Sequence, residues 1–256
     1  VAELWLLAIG FGLLPMSALP LHLFPSVARD HASTAWGVLA GIVAFLGLGH
    51  AMAAVLVGNS YLRYLTHPVL AAGVALFGAA SGMGLAFLVL DRPLLLRRGG
   101  ALLGGGALFL LIHSFGDGLV LGDAYAGSVP PGWPLDAVPV AATVVHRFAE
   151  GALVVVPALM ARWQPSKSSG WLLAGLATIP AAAIPVALFA GPGSVAAAAA
   201  LDQGVSVFVA AFEAGFALLL LLMGYLPRAL SGRDMKGALG CGAAFLGMLL
   251  IHFLVE

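Results

Sequence analysis

The chain alternates between long apolar runs and short breaks made of charged, polar or turn-forming residues. A helix needs about 20 apolar residues to cross the hydrocarbon core of a bilayer. Eight runs qualify, near residues 3–23, 34–58, 68–90, 99–124, 137–162, 169–190, 204–226 and 236–255. The breaks include Arg29-Asp30-His31, Asn59-Ser60, Asp91-Arg92-Pro93, Pro130-Pro131-Gly132, Pro165-Ser166-Lys167, Gly191-Pro192-Gly193 and Ser231-Gly232-Arg233-Asp234. All are short, so the pattern predicts an all-α polytopic membrane bundle and a single transmembrane domain over 1–256. Residues 1–24 lack a basic leader and a small-residue cleavage site, and read as a span rather than a signal peptide.

Composition removes the alternatives. Hydrophobic residues make up 62% of the 256 and charged residues 9%, against about 25% charged in an ordinary soluble domain. The mean hydropathy is +1.07. Eleven basic residues balance eleven acidic ones, which excludes a nucleic-acid footprint. A lone cysteine, Cys241, excludes a disulfide framework and a thiolate cluster.

The basic residues are distributed unevenly. Arg29, Arg92, Arg97, Arg98, Arg162, Lys167, Arg228, Arg233 and Lys236 fall in the breaks after spans 1, 3, 5 and 7, while only Arg63 falls in the other set. By the positive-inside bias the first set is cytoplasmic. The chain is then a multi-pass protein of the cell (inner) membrane with both termini outside. Tryptophans 5, 36, 133, 163 and 171 stand near span ends, as an interfacial belt requires. Glycines four apart, as in Gly37/Gly41 and Gly78/Gly82, predict close helix seams.

An internal repeat is also legible. Leu14-Pro15-Met16-Ser17-Ala18-Leu19-Pro20 in span 1 resembles Ile179-Pro180-Ala181-Ala182-Ala183-Ile184-Pro185 in span 6, and both runs continue into Leu-Phe. The two cross in opposite directions. At nearly the same offset His50 of span 2 corresponds to Glu213 of span 7. Spans 1–3 and 6–8 are therefore expected to be inverted repeats flanking spans 4 and 5, an arrangement that puts a substrate near the midplane.

The chemistry concentrates in spans 4 and 5. Span 4 reads His113-Ser114-Phe115-Gly116-Asp117-Gly118, and span 5 His146-Arg147-Phe148-Ala149-Glu150-Gly151. Each puts a histidine and a carboxylate four apart on one helix face. A charge at the bilayer centre costs at least about 2.5–3.5 kcal/mol, so two such pairs need a partner. A divalent cation supplies one, and two imidazoles with two carboxylates suit zinc, iron or manganese. Single His–acid pairs serve equally as proton relays. His50 and Glu213 are the other ionisable groups deep in spans and are expected, with Ser114 and Arg147, to serve a secondary site or gating, and Asp123 stands near a pathway mouth.

With these motifs the chain resembles the ZIP (Zrt/Irt-like) family of divalent-metal transporters, prokaryotic type: specifically over 112–122 and 145–152, and throughout in its topology. The resemblance implies that His113, Asp117, His146 and Glu150 are the metal ligands, with Ser114 at a second-site position. Relatives with two metals carry a carboxylate where this chain has Arg147, and an acid before a span-6 proline where it has Ile184. One metal is therefore expected, not two, with Arg147 pairing with Glu150 or Glu213. The implied function is transport of zinc, iron, manganese or cadmium by alternating access through a mononuclear site between spans 4 and 5, not enzymatic catalysis. The partners are the cation and the bilayer, with a homodimer as an open alternative. An intramembrane metal-dependent hydrolase and a proton- or cation-coupled carrier of another substrate remain the competing readings.

Overall fold

The computed structural model describes residues 23, 25–61, 68–91, 100–127, 137–161, 196–232 and 235–255. Regular structure among them is entirely helical. A short α1 (Pro25–Asp30) turns at His31 into α2 (Ala32–Tyr61), followed by α3 (Pro68–Asp91), α4 (Gly100–Gly127), α5 (Ala137–Met160) and α6 (Ala196–Leu219). Helix α6 runs on through a π-helical segment, Leu220–Tyr225, into α7 (Leu226–Ala229), and α8 (Lys236–Val255) closes the order. Four stretches are long and apolar enough to cross a membrane: Ala32–Leu56, Val69–Asp91, Gly204–Ala229 and Lys236–Phe253. The chain thus has the helices of a membrane bundle.

Spans 2, 3, 4, 5 and 8 of the sequence reading coincide with α2, α3, α4, α5 and α8 within a few residues. Span 7 begins earlier than its apolar run suggested. The Ala196–Ala200 stretch has the highest helix propensity of any residue type, so α6 starts at Ala196 rather than near 204. Similarly, the break at Arg29-Asp30 is helical as far as Asp30. Span 1 apart from Leu23, span 6, and with them the matching proline runs of the expected repeat, lie outside the described residues.

Four helices form a frame: α3 packs along α6, α8 along α2, and α2 along α6. Small residues make these seams. Gly37 and Gly41 of α2 meet the backbone of Gly237 and Cys241, and Gly78 and Gly82 of α3 meet that of Phe208 and Phe212. A side chain at Gly82 would run into the Phe212 carbonyl. With no hydrophobic force between helices in lipid, such backbone approach is what gives dispersion contact. Helices α4 and α5 pack on one another and lean on the frame, α5 against α8 and α2, α4 against α3 and α6. Their contacts with the α6–α7 rod are made by side chains: Leu220 reaches toward Gly105, and Leu102 toward Gly224. Phe109, Leu110, Leu153, Val154, Phe216 and Ala217 fill the junction, all fully buried.

Candidate metal centre

Four ionisable side chains converge where α2, α4, α5 and α6 meet. His50 comes from α2, His113 from α4, Glu150 from α5 and Glu213 from α6. Each stands about ten residues or more from the ends of its continuous helix, roughly 15 Å of rise, which is the depth of a bilayer midplane. His113, Glu150 and Glu213 are buried and His50 half-buried.

His113 is the hub. Its Nε2 lies 3.0 Å from Glu150 Oε1. Its Nδ1 lies 3.1 Å from His50 Nε2 and 3.2 Å from Glu213 Oε2. His50 Nε2 and Glu213 Oε2 are themselves 2.8 Å apart. The two imidazole edges therefore look into different surroundings, one toward a single carboxylate and the other toward a triangle of two nitrogens and an oxygen. Phe109, one turn earlier in α4, stacks on the His113 ring at 5.8 Å with the planes nearly parallel. Phe216 stacks on Phe109 in turn, at 6.1 Å. The ring of His50 meets that of His113 edge-on at 4.9 Å. These contacts fix the His113 ring plane, so its two nitrogens are aimed rather than merely present.

The His50–His113–Glu213 triangle has the dimensions of a cation site. A tetrahedral zinc ion with bonds of about 2.0–2.1 Å separates its ligand atoms by about 3.3 Å, close to the 3.1 and 3.2 Å edges and longer than the 2.8 Å edge between His50 and Glu213. The three ligand atoms lie well within the spacing at which one ion can bridge them. Ser114, next to His113, is fully buried, and its Oγ has no hydrogen-bond partner among the described residues. A hydroxyl buried without a partner is unusual.

The expected pairing of span 4 with span 5 is present in the His113–Glu150 contact. The side chains of Asp117, His146, Arg147 and Asp123 lie outside the described residues, so that part of the expected ligand set and the expected Arg147 ion pairs have no geometry here. Sequence reasoning ranked His50 and Glu213 as secondary because each is a lone ionisable group in its span. The structure brings both into direct contact with His113. The signal that could have promoted them was the sequence offset between them, nearly the same as that between the two proline runs. No family model and no curated protein matches the chain.

Proposed function

We propose that this protein carries a divalent transition-metal cation across the cell (inner) membrane, with zinc the first candidate. The ion is its substrate, held by His50 Nε2, His113 Nδ1 and Glu213 Oε2. Glu150 accepts the remaining N–H of His113 and orients the ring, as carboxylates behind metal-bound histidines do. The observation that carries the reading is the triangle itself, three ligand atoms 2.8–3.2 Å apart at mid-helix depth. Two imidazoles and one carboxylate suit zinc, iron and manganese better than calcium or magnesium, which prefer oxygen alone. The reading extends to eight spans, inverted repeats around helices 4 and 5, external termini and the ZIP-like resemblance of the two motifs.

A second ligand set has one observation in its favour. The Nε2 of His113 is the edge that meets Glu150, and a set of His113, Asp117, His146 and Glu150 would use that edge instead. One ion cannot take both nitrogens of one ring, so the two sets are exclusive for a single metal. An anomalous difference map of zinc-soaked crystals separates them, because it locates the ion on one side of the His113 ring.

Function is tested by uptake of radioactive zinc into proteoliposomes. Uptake by the wild type and its loss in Glu213→Gln and His113→Ala support the reading. Saturable binding without entry overturns transport. A three-ligand site leaves an open position, as in zinc hydrolases, so movement of the ion, rather than its binding, is the deciding readout.

A further inference from the structure

We propose that Tyr225 is a positioning residue for this cation site, acting through the backbone of α5; the inference rests on the cation reading above. Pro157 lies inside α5. It has no N–H, so the Leu153 carbonyl four residues earlier loses its helical donor, and the proline ring crowds that same carbonyl. Within a bilayer no water replaces the lost bond. The Tyr225 hydroxyl does: it donates to Leu153 O at 3.4 Å, with both groups buried.

The surroundings are built to hold that hydroxyl in place. Tyr225 has no exposed surface and is the largest fully buried side chain among the described residues. It ends the π segment Leu220–Tyr225, whose wider turn shifts the register of everything that follows in the rod. Its ring stacks on Trp36 of α2 at 5.9 Å. The Arg228 guanidinium lies over Trp36 and donates to Gly224 O at 2.8 Å, fixing the same stretch. From the α4 side, Gly106 leaves the necessary room, since a Cβ there would collide with Leu153 O and come within 2.9 Å of the Tyr225 hydroxyl. Three elements thus meet at one carbonyl.

That carbonyl is one helical turn from Glu150. The interruption at Pro157 falls seven residues after Glu150, and the π segment begins seven residues after Glu213. Both helices that bring carboxylates to the cation site therefore break their regular ladders at the same remove from it, and the Tyr225–Leu153 bond ties the two breaks together. With the tie made, the Glu150 end of α5 is held at the height where Oε1 meets His113 Nε2. Without it α5 has a free joint, and Glu150 loses its alignment with the ring.

The test pairs Tyr225→Phe with Pro157→Ala in the full chain in lipid nanodiscs. Zinc affinity is read by calorimetry, and the opening of α5 by amide hydrogen exchange. Tyr225→Phe is expected to weaken zinc binding about 10–100-fold, the cost of disturbing an orienting carboxylate, and to speed exchange in α5. Adding Pro157→Ala supplies the missing amide at position 157, so the double variant is expected to regain wild-type affinity within a few-fold and wild-type exchange. A merely structural tyrosine would not be rescued from a distance in this way. Wild-type behaviour of Tyr225→Phe, or a double variant as damaged as the single, overturns the proposal. If Tyr225→Phe does not fold, the double variant must fold and bind, and its failure to do so also overturns the proposal. Wild-type protein that binds no zinc would instead sink the cation reading, and the exchange pattern alone would then decide the tie.

Discussion

At the scale of single residues, everything depends on how His113 shares its two nitrogens. A neutral imidazole has one N–H, yet both nitrogens of His113 face carboxylate oxygens, at 3.0 and 3.2 Å. Both contacts are hydrogen bonds only when the cluster holds an additional proton, and a cation at Nδ1 must displace whatever proton sits there. Zinc binding is therefore expected to release protons and to weaken as the pH falls. Calorimetry in buffers of different ionisation enthalpy reads that release directly, and a buffer-independent heat contradicts it. The same geometry ranks the two acids. In the proposed cation site Glu213 would supply a ligand atom, whereas Glu150 would orient the ring from behind. Glu150→Gln should cost about 10–100-fold in affinity, and Glu213→Gln more than that. The reverse order, read by the same titration, would move the ion to the Nε2 edge.

At the scale of helices, close packing replaces the hydrophobic effect as the source of cohesion, and glycine position decides which changes are tolerated. Gly82 faces the Phe212 backbone, which cannot move without displacing α6. Gly84, two residues on, faces open space. Gly82→Ala is expected to destabilise the detergent-solubilised protein by about 1–3 kcal/mol, the usual range for overpacking. Gly84→Ala should leave its melting temperature nearly unchanged. Equal effects would mean that the α3–α6 seam is not the one described. That seam was legible in the sequence, because glycines four apart lie on one helix face whatever the tertiary arrangement. The helix ends of α2, α3, α5 and α8 were legible for a similar reason: apolar length and polar breaks are local properties. The π segment was not, since Leu220–Tyr225 reads as ordinary apolar helix, and its packing against α2, α3 and α4 is a tertiary property. The roles of His50 and Glu213 were half legible. Their depth in their apolar runs and their near-equal offset to the two proline runs were visible, but their contact with His113 depends on how three helices rotate about their axes, which no single run of sequence records.

At the scale of the molecule, the site lies on a boundary. His50 and Glu213 belong to α2 and α6 of the frame, which is joined by backbone approaches at glycines, while His113 and Glu150 belong to the α4–α5 pair that packs against it. An ion bound in the triangle cross-links the two. A ligand that binds only the folded state stabilises it by an amount set by its concentration relative to its dissociation constant, about 2.7 kcal/mol at a hundredfold excess. Here that gain depends on a contact between the frame and the α4–α5 pair. Zinc at a hundredfold excess is therefore expected to raise the melting temperature of the wild type in detergent. The same addition should leave Glu213→Gln nearly unmoved, because the frame has lost its carboxylate ligand. Glu150→Gln is the informative control. Its ligand atoms remain on both sides of the boundary, so zinc at a hundredfold excess over its own weakened dissociation constant should still stabilise it. If zinc stabilised Glu213→Gln as much as the wild type, the ion would be held within the α4–α5 pair alone, and the boundary would have no part in binding it.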